Sequence, residues 1–502
     1  MKNTANRIDF LPPDPAPVPN TTRGKYIAGG RNVEAFRYLV SPGYPPFPDR
    51  TKWVGLLSGS WSKMGETLGA RAGDNVRVTS DIWWQKICSS KGRANTLKAM
   101  KLYEAQIAAL DPGQIDFMHG IADGAAPWLN QSVYAKKNNE YFTENYWRIL
   151  TASIWDCWYW GTPDFPTQGG CNSFTVLPEA TTIGKTIAIH CRHTPHDGLC
   201  YQQAYILRPP RGNAVWIASP TPGISGNLVV NEKGVSIHHH LGGKANPKSL
   251  EYPGGPYMSY AFGVPWMNLI FYAAIHANTA KEAIELLTAG PQDYLKRTGR
   301  RSILRDGIWN WLVADSNTSA VVEASPDRYA VRYPGEYLGS MWTDKTFIVC
   351  ANHSICEFSY DENNKLTEVP MIIFNDPVRA SPLGLSSERF WTLMWDLKDR
   401  VGLIDRYMAQ HILHSTYKRE KETGKIVQCA QREDGGWDLY AYVKAGVQGI
   451  MADEGRTGGT NIAGIAVLDK EKSMTSWNLG NPSDWEGAWD EYYFSKGNST
   501  QG

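Results

Sequence analysis

The junction Gly169-Gly170-Cys171 is the first place in the chain where residue types and spacing could do chemistry. Two glycines leave the carbonyl before Cys171 uncrowded and its backbone free to strain. The adjacent thiol could attack that carbonyl, and cleavage of the peptide bond would give Cys171 a free α-amine. Such an amine has a pKa of about 8 and could accept the thiol proton, so nucleophile and base would be one residue. The alternative is a small buried cysteine that starts a strand after a glycine-rich turn.

Segments downstream of this junction follow in an informative order. They are IGKTIAIHCRHTPHD (183–197), VVNEKGVSIHHHLG (229–242), AVVEAS (320–325), IVCANHS (348–354) and LSSERFWTLM (385–394). With Cys171, this order resembles the N-terminal-nucleophile (Ntn) hydrolases. It looks most like their isopenicillin-N acyltransferase-like and choloylglycine hydrolase branch, whose members act on linear amides. The resemblance covers roughly residues 115–480, including IDFMHGIADGA (115–125).

The resemblance implies a role for each residue that matches the family's motifs. Cys171 would be the nucleophile, and Arg192 would lie beside the thiolate, where a guanidinium favours the charged sulfur. Asn352 would help to hold the nucleophile's amine and the oxyanion. Arg389 would support the site from the first turn of a late helix. Asn231 would belong to the substrate and oxyanion region, where its Asn-Glu-x-Gly motif shapes the strand leading to the oxyanion site.

Two positions depart from the family pattern. The family's aspartate, three residues after Arg192, is replaced here by Pro195, and an aspartate follows only at Asp197. Asp197 could reach the site through a local bulge, or His193 could substitute for it. The second oxyanion asparagine is expected near position 241, where this chain has Leu241.

Three consecutive histidines, His238, His239 and His240, precede Leu241. In a strand, successive side chains point to opposite faces, so His239 is predicted to face away from the other two. One or two of them could line the pocket, and a donor from His240 could replace the missing amide at the oxyanion. Alternatively, they are polar residues of a half-exposed strand. A metal site is disfavoured because consecutive histidines lack the spacing of usual ligand pairs.

The remaining pattern predicts the elements that must position these residues. Residues 90–111, 114–128 and 145–160 are predicted to be helical, and so are the segments after the capping box Thr279–Glu282 and after Ser386. The apolar face of the last helix is predicted to carry Phe390, Leu393, Met394, Leu397 and Val401. Strands are predicted at 171–177, 184–191, 203–208, 214–219, 227–231, 234–240, 319–324, 328–333, 346–351 and 461–468. Strands joined by short turns, with helices in separate runs, indicate an α+β fold with antiparallel sheets. The resemblance implies an αββα sandwich of two stacked antiparallel sheets.

The same reading divides the chain into three parts. Residues 1–35 are predicted to be an extended Pro-rich arm. Residues 36–170 would form a mostly helical pro-segment, and residues 171–502 the catalytic domain beginning at Cys171. The pro-segment 1–170 is expected to remain bound to the catalytic domain, because a sequence such as WRILTASIWDCWYW is too apolar to leave freely.

Composition excludes several other classes of protein. The 51 Lys and Arg balance 50 Asp and Glu, so the chain lacks the basic field expected of a nucleic-acid binder. No apolar run could span a bilayer and no signal sequence is evident, which favours a cytoplasmic protein without a membrane partner. No Walker loop, Rossmann fingerprint or zinc spacing is present, so neither cofactor nor metal is predicted. The 20 Trp residues indicate a large aromatic core, an apolar ligand pocket or a homo-oligomer contact.

The function expected from these observations is hydrolysis of a linear amide of a small acylated amine through a Cys171 thioester. This would follow autoproteolysis between Gly170 and Cys171. Three alternatives stay open: an acyltransferase that passes the acyl group to a second amine, a phospholipase-B-like hydrolase of lipid esters, and a non-catalytic binding module whose chain is never cut.

Overall fold

The computed structural model describes residues 35–44, 47–135, 144–159, 170–194, 203–219, 228–241, 262–307, 309–326, 329–336, 344–352, 355–358, 372–374, 386–413, 418–427, 459–469, 472–479 and 489–495. The predicted arm at 1–35 lies almost entirely outside the described residues.

Two large sheets, here called sheet A and sheet B, form the centre of the described structure. The strands are β1 (Ala35–Tyr44), β2 (Phe47–Ser58), β3 (Gly170–Val176), β4 (Thr186–Thr194), β5 (Gln203–Arg208), β6 (Val215–Ser219), β7 (Leu228–Asn231), β8 (Ser236–Leu241), β9 (Trp309–Ala314), β10 (Ser319–Ala324), β11 (Tyr329–Arg332), β12 (Phe347–Cys350), β13 (Cys356–Phe358), β14 (Ile372–Phe374), β15 (Lys418–Arg419), β16 (Ile426–Val427), β17 (Gly459–Leu468), β18 (Lys472–Leu479) and β19 (Trp489–Ser495). Sheet A has the order β1-β2-β5-β6-β7-β8-β9-β10-β11, and sheet B the order β12-β3-β4-β17-β18-β19. Neighbouring strands in both sheets are antiparallel, except that β2 and β5 are parallel.

Helices cover the outer face of each sheet. They are α1 (Trp61–Arg71), α2 (Gly73–Lys91), α3 (Arg93–Leu110), α4 (Pro112–Gly124), α5 (Ala126–Leu129), α6 (Asn145–Ser153), α7 (Trp155–Tyr159), α8 (Trp266–His276), α9 (Ala280–Thr288), α10 (Gln292–Thr298), α11 (Ser386–Lys398) and α12 (Arg406–Leu413). One apolar cluster joins α1–α10 to the outer face of sheet A, and a second joins α11 and α12 to the outer face of sheet B. The layers therefore run helix, sheet, sheet, helix, a mixed fold in the order that the resemblance implies.

Between the two sheets lies an interior that is apolar in one part and polar in another. Trp216 and Val230 of sheet A meet Ala188 and Ala466 of sheet B in a small apolar cluster, and a second cluster lies around Leu312. The polar part includes Ser173, His190, His238 and His240, all fully buried, together with other polar residues described below. Buried polar groups need hydrogen-bond partners, so the positions of side chains in this part of the interior are tightly constrained.

Local sequence explains several element boundaries. Thr279 caps α9, its hydroxyl accepting from the backbone N–H of Glu282 at 3.2 Å, as the capping box predicts. Asp111 caps α4 in the same way through Gly113 N, and Pro112 occupies the first helical turn. Helix α11 begins at Ser386 and buries Phe390, Leu393, Met394 and Leu397 as predicted.

Helices α1 and α4 pack backbone against backbone. Gly65 and Gly69 of α1 lie on the carbonyl oxygens of Phe117 and Ile121, and a Cβ at either glycine would overlap them. Gly120 and Gly124 of α4 meet the backbone of α1 in the same way, at Ser62 and Glu66. The spacing of four residues places both glycines of each helix on one face, which allows this close approach.

Two expectations about the elements need correction. The region 36–170 was predicted to be mostly helical, but its first part forms β1 and β2, which extend sheet A at its edge. Helices then occupy most of the described residues from 61 to 159. Val401, predicted on the buried face of the late helix, is 38% exposed because α11 ends at Lys398.

Candidate active site

Cys171 is the second residue of β3, on the face that looks toward sheet A. It pairs with Arg192 of β4 in antiparallel register, which places both side chains on the same face. Its backbone N–H donates to Oδ1 of Asn352 at 2.5 Å. Cys171 is 6% exposed and Asn352 is fully buried.

Arg389 ties this contact together from the outer helical layer. Its Nη2 donates to Asn352 Oδ1 at 2.8 Å, and its Nε donates to Asn172 Oδ1 at 2.9 Å. The guanidinium is 1% exposed, so its charge acts in a region with little screening. Oδ1 of Asn352 therefore accepts from both Cys171 N and Arg389. The structure thus brings Cys171, Asn352 and Arg389 together in one hydrogen-bonded set.

Arg192 lies against the helical layer as well as beside Cys171. Its guanidinium lies over the ring of Trp155 in α7, with 5.5 Å from Cζ to the ring centroid. Trp155 in turn stacks on Trp83 of α2, with ring centroids 3.8 Å apart and planes inclined by 13°. A cation over an indole face is a favourable contact that also restricts where the cation can lie.

Burial disfavours the thiolate form of three further cysteines. Burial raises the pKa of Cys88 and of Cys191 to about 12, and raises that of Cys350 well above its usual value. Cys88 is in α2, far along the chain from the glycine junction, and is 8% exposed, close to the value for Cys171. It is therefore a natural internal reference for the reactivity of Cys171.

The three consecutive histidines alternate between the faces of sheet A, as predicted. His239 stacks on Trp266 of α8 on the outer face, with ring centroids 3.3 Å apart. His238 and His240 point into the layer between the sheets, where each ring packs in a T-shaped arrangement with the ring of His190 from β4. All three of the consecutive histidines are buried, so the half-exposed strand considered above is wrong.

His240 is already engaged by its neighbours between the sheets. Its Nε2 lies 2.8 Å from Ser173 Oγ, and its Nδ1 lies 3.4 Å from Cys350 Sγ. Burial lowers the pKa of His238 and of His240 to about 3, so both rings are neutral near pH 7. An oxyanion role for His240 stays a prediction, and it requires that one of these contacts be exchanged for substrate.

Asn231 holds a turn by its side-chain amide. Its Oδ1 accepts from the backbone N–H groups of Lys233 and Val235 at 3.0 and 2.9 Å. Its Nδ2 donates to the carbonyls of Ala274 and Ala277, at the end of α8. These contacts fix the β7–β8 connection and so shape strand β8, whereas a direct contact of Asn231 with substrate stays a prediction.

Three predicted residues lie wholly or partly outside the described structure. Asp197 is outside it, and so is Pro195, which occupies the family's aspartate position. His193 and Leu241 are placed only by their backbones, at the ends of β4 and β8. His193 pairs with Gly170 across β3 and β4, so its backbone is opposite the residue before Cys171.

Several residues around the site were not predicted. Asn172 connects β3 to Arg389, and the only sequence signal for it was its position after Cys171. Trp155 was noted only as part of an apolar segment. Asn310, Glu323 and Arg332 contact the backbone around Asn352 from sheet A. Of these three, only Glu323 lies in a segment singled out from the sequence, AVVEAS (320–325).

Metal and membrane features can be assessed for the described part of the chain. There, no group of three or more His, Cys, Asp or Glu side chains has the geometry of a metal site. Among the same residues, no helix combines the length and the hydropathy needed to cross a bilayer.

Comparison with known proteins gives little further guidance. No family model matches the chain, and no curated protein matches it. The chain is similar in structure to a mutant of the conjugated bile acid hydrolase from Clostridium perfringens. The TM-score is 0.33 at 12% identity, over 66% of this chain and 93% of that one. A second variant of the same hydrolase gives a TM-score of 0.30 at 10% identity, over 66% and 94%. Likenesses this slight carry no argument about activity.

Proposed function

We propose that this protein is a cysteine amidohydrolase of the Ntn type that cleaves the C–N bond of a linear amide. One observation carries the proposal: Asn352 Oδ1 accepts from the backbone nitrogen of Cys171 and, at the same time, from the buried Arg389. A structural cysteine at the start of a strand needs no such arrangement, because an ordinary strand N–H is satisfied by a backbone carbonyl. An α-amine at this position would be held beside its own thiol.

Activation begins with cleavage of the bond between Gly170 and Cys171. The thiol of Cys171 attacks the Gly170 carbonyl, and the C–N bond breaks as the acyl group shifts to sulfur and the nitrogen takes up the thiol proton. Water hydrolyses the resulting thioester, which leaves Gly170 with a carboxylate and Cys171 with its thiol and a free α-amine. The chain of 502 residues would then consist of pieces of 170 and 332 residues. Asn352 retains the new amine through Oδ1, so the amine can take the thiol proton without leaving the site.

Each later step has a candidate group. The positive charge of Arg192, on the same face as Cys171, favours the thiolate. The thiolate attacks the substrate carbonyl, and the amide nitrogen of Asn352 donates to the oxyanion that develops. The α-ammonium returns its proton to the leaving amine, so a thioester of Cys171 remains. Water attacks the thioester, which releases the acid and restores the thiol.

The substrate class follows from the same chemistry. A thioester intermediate requires an acyl group, and the leaving group is the amine of a small acylated amine. The aromatic residues around the site, with Trp155 beside Arg192, favour an apolar acyl or amine part. A second amine that competes with water would convert hydrolysis into acyl transfer, so products should be measured with and without added amine.

The test is intact mass and N-terminal sequencing of the purified wild-type protein, Cys171→Ala and Cys88→Ala, together with assays on simple N-acyl amides. We expect the wild type and Cys88→Ala to yield a fragment that begins Cys-Asn-Ser-Phe and to hydrolyse amides. We expect Cys171→Ala to remain whole and inactive. Full amidase activity in Cys171→Ala would overturn the proposal, and so would a wild-type chain that is neither cut nor active.

A further inference from the structure

Three polar side chains on the inner face of sheet A form hydrogen bonds with the segment around Asn352, which follows β12 of sheet B. Nη2 of Arg332 donates to the carbonyl of Val349 at 3.0 Å. Nδ2 of Asn310 donates to the carbonyl of Ala351 at 3.1 Å. These two bonds reach the backbone just before Asn352.

A third bond holds the chain just after Asn352. Oε2 of Glu323 accepts from the backbone N–H of Ile355 at 2.7 Å. The other carboxylate oxygen of Glu323, Oε1, lies 3.4 Å from Nε of Arg332. The segment around Asn352 is thus held on both sides by one connected set of side chains, here called the cross-sheet brace (Asn310, Glu323 and Arg332).

The charges of the brace are almost wholly removed from water. Glu323 and Arg332 are 3% and 4% exposed. Desolvating two charges is so costly that an apolar pair of similar size would serve stability as well or better. An apolar pair, however, could not bond to a carbonyl before Asn352 and an N–H after it. The brace is therefore better explained by what it locates than by what it stabilises.

We infer that Glu323 and Arg332, assisted by Asn310, are positioning residues that set where the Asn352 amide lies relative to Cys171. This inference rests on the proposed function, because it assigns the brace a part in the reaction of Cys171. The brace touches neither Cys171 nor Arg389 through the bonds described here. It acts through the backbone of Val349, Ala351 and Ile355, which sets the position of Asn352. The brace thereby sets the position of Asn352 Oδ1, which accepts the hydrogen bond from Cys171 N at 2.5 Å.

The experiment compares Glu323→Leu, the milder Glu323→Gln and the uncharged deletion Asn310→Ala with a matched control. The control is Asp81→Asn, which breaks the ion pair of Asp81 with the fully buried Arg148 in the helical layer. Four quantities are measured: the thermal midpoint, the extent of cleavage before Cys171, kcat and KM on the amide substrate, and the pH profile of alkylation at Cys171. Alkylation by iodoacetamide is followed on the Cys171 peptide, with the Cys88 peptide as internal reference.

We expect Glu323→Leu to reduce cleavage and kcat at least tenfold, with KM changed less than twofold and a shifted pH profile at Cys171. Glu323→Gln, which keeps an acceptor oxygen, should show a smaller effect, and Asn310→Ala should show the same kind of change. Asp81→Asn should lower the thermal midpoint but leave kcat and the Cys171 profile at their wild-type values. Wild-type kcat, cleavage and alkylation profile in both Glu323 variants would overturn the inference.

The design separates this inference from the proposed function. If the wild-type protein shows neither cleavage nor amidase activity, the proposed function fails, whatever the variants do. If the wild type is cut and active while the Glu323 variants match it, the function stands and the positioning role fails. If Asp81→Asn loses as much kcat as the Glu323 variants at a similar drop in thermal midpoint, the loss of kcat reflects destabilisation, which would also count against the positioning role.

Discussion

The two faces of sheet A differ in the polarity of the side chains that they bury. The outer face packs against α8 and other helices through side chains such as Trp309, Trp311 and Val322. The inner face carries Asn310 and Glu323 on the same two strands, one residue away from those apolar side chains. Strand β8 repeats the contrast, with His239 stacked on Trp266 outside and His240 bonded to Ser173 inside.

This difference indicates a division of labour within single strands. The outer face buries large apolar surface, which is the main favourable contribution to folding. The inner face buries polar and charged groups near Cys171, and a connected set of hydrogen bonds offsets the free-energy cost of removing these groups from water. Substitutions on the outer face should therefore change stability with little change in reactivity at Cys171. Those on the inner face near Cys171 should change reactivity at Cys171 as well as stability.

The outer face is tested most severely at Trp266. Trp266→Ala removes a fully buried side chain and the stacking partner of His239, so we expect a loss of about 3–5 kcal/mol in the free energy of unfolding. Trp266→Phe retains a ring for His239 and should lose much less. Urea unfolding measures both, and alkylation at Cys171 in native conditions should match the wild type. A large change in the rate of alkylation would contradict the expectation that the outer face affects stability but not the reactivity of Cys171.

Asn352 tests the inner region directly. Asn352→Ala deletes the acceptor shared by Cys171 N and Arg389, together with the proposed oxyanion donor. Loss of one such donor reduces kcat by about 10²- to 10³-fold. Steady-state kinetics on an amide substrate measures the effect, and Thr392→Ser, a small change within α11, is the control. A variant with near wild-type kcat would contradict the role given to Asn352.

The inner histidines predict a dependence of stability on pH. Burial lowers the pKa of His238 and His240 from 6.5 to about 3. Between these pH values the two histidines are therefore protonated in the unfolded chain but neutral in the folded protein. Stability should therefore fall as the pH drops below about 6.5, by roughly 1.4 kcal/mol per pH unit for each histidine until about pH 3. His238 faces His190, and His190 in turn faces His240 and feels the charge of Arg192.

His238→Leu should remove one of these protons from the balance. Urea unfolding at several pH values from about 7 to 5 would then show a shallower slope than in the wild type, by about one proton. A slope equal to that of the wild type would mean that His238 is not held neutral in the folded protein.

The smallest expected effect comes from a partly exposed ion pair at the ends of the interior strands β4 and β17 of sheet B. Lys185 and Asp469 are 2.6 Å apart, but their side chains are 44% and 22% exposed. Lys185→Ala should cost no more than about 0.5 kcal/mol, and less at high salt, because solvent screens such pairs. Unfolding at two salt concentrations measures this. A loss of about 3–5 kcal/mol, the usual cost of removing one partner of a buried pair, would contradict the contrast between this exposed pair and the buried pair of Glu323 and Arg332.

Much of the architecture was predictable from local patterns. Each of the ten predicted strands overlaps an observed one, because turns and β-branched runs mark strands of an antiparallel sheet. Strand β9 was missed because both of its faces are buried, so WNWLVA shows no alternation of exposure. Strands β1 and β2 were not predicted, since their Pro and Gly residues are typical of loops, although an edge strand such as β1 tolerates proline.

The candidate site was predictable only where motifs exist. Cys171, Asn352 and Arg389 were named from their motifs, and the structure places them in one hydrogen-bonded set. Asn172 and Glu323 were not assigned a role, since their contacts join residues 217 and 32 positions apart that no local pattern links. Contacts across layers depend on how whole sheets stack, which a single sequence does not reveal.

The contact between Trp155 and Arg192 has a consequence for the integrity of an activated protein. Trp155 precedes the proposed cut and Arg192 follows it, so the two fragments of a cut chain would meet at the guanidinium of Arg192, on the same face as Cys171. A mild detergent that separates the fragments would abolish turnover by exposing Arg192 to water, even while the larger fragment keeps its secondary structure. Remixing the fragments after dilution of the detergent should then restore turnover at a rate that depends on fragment concentration.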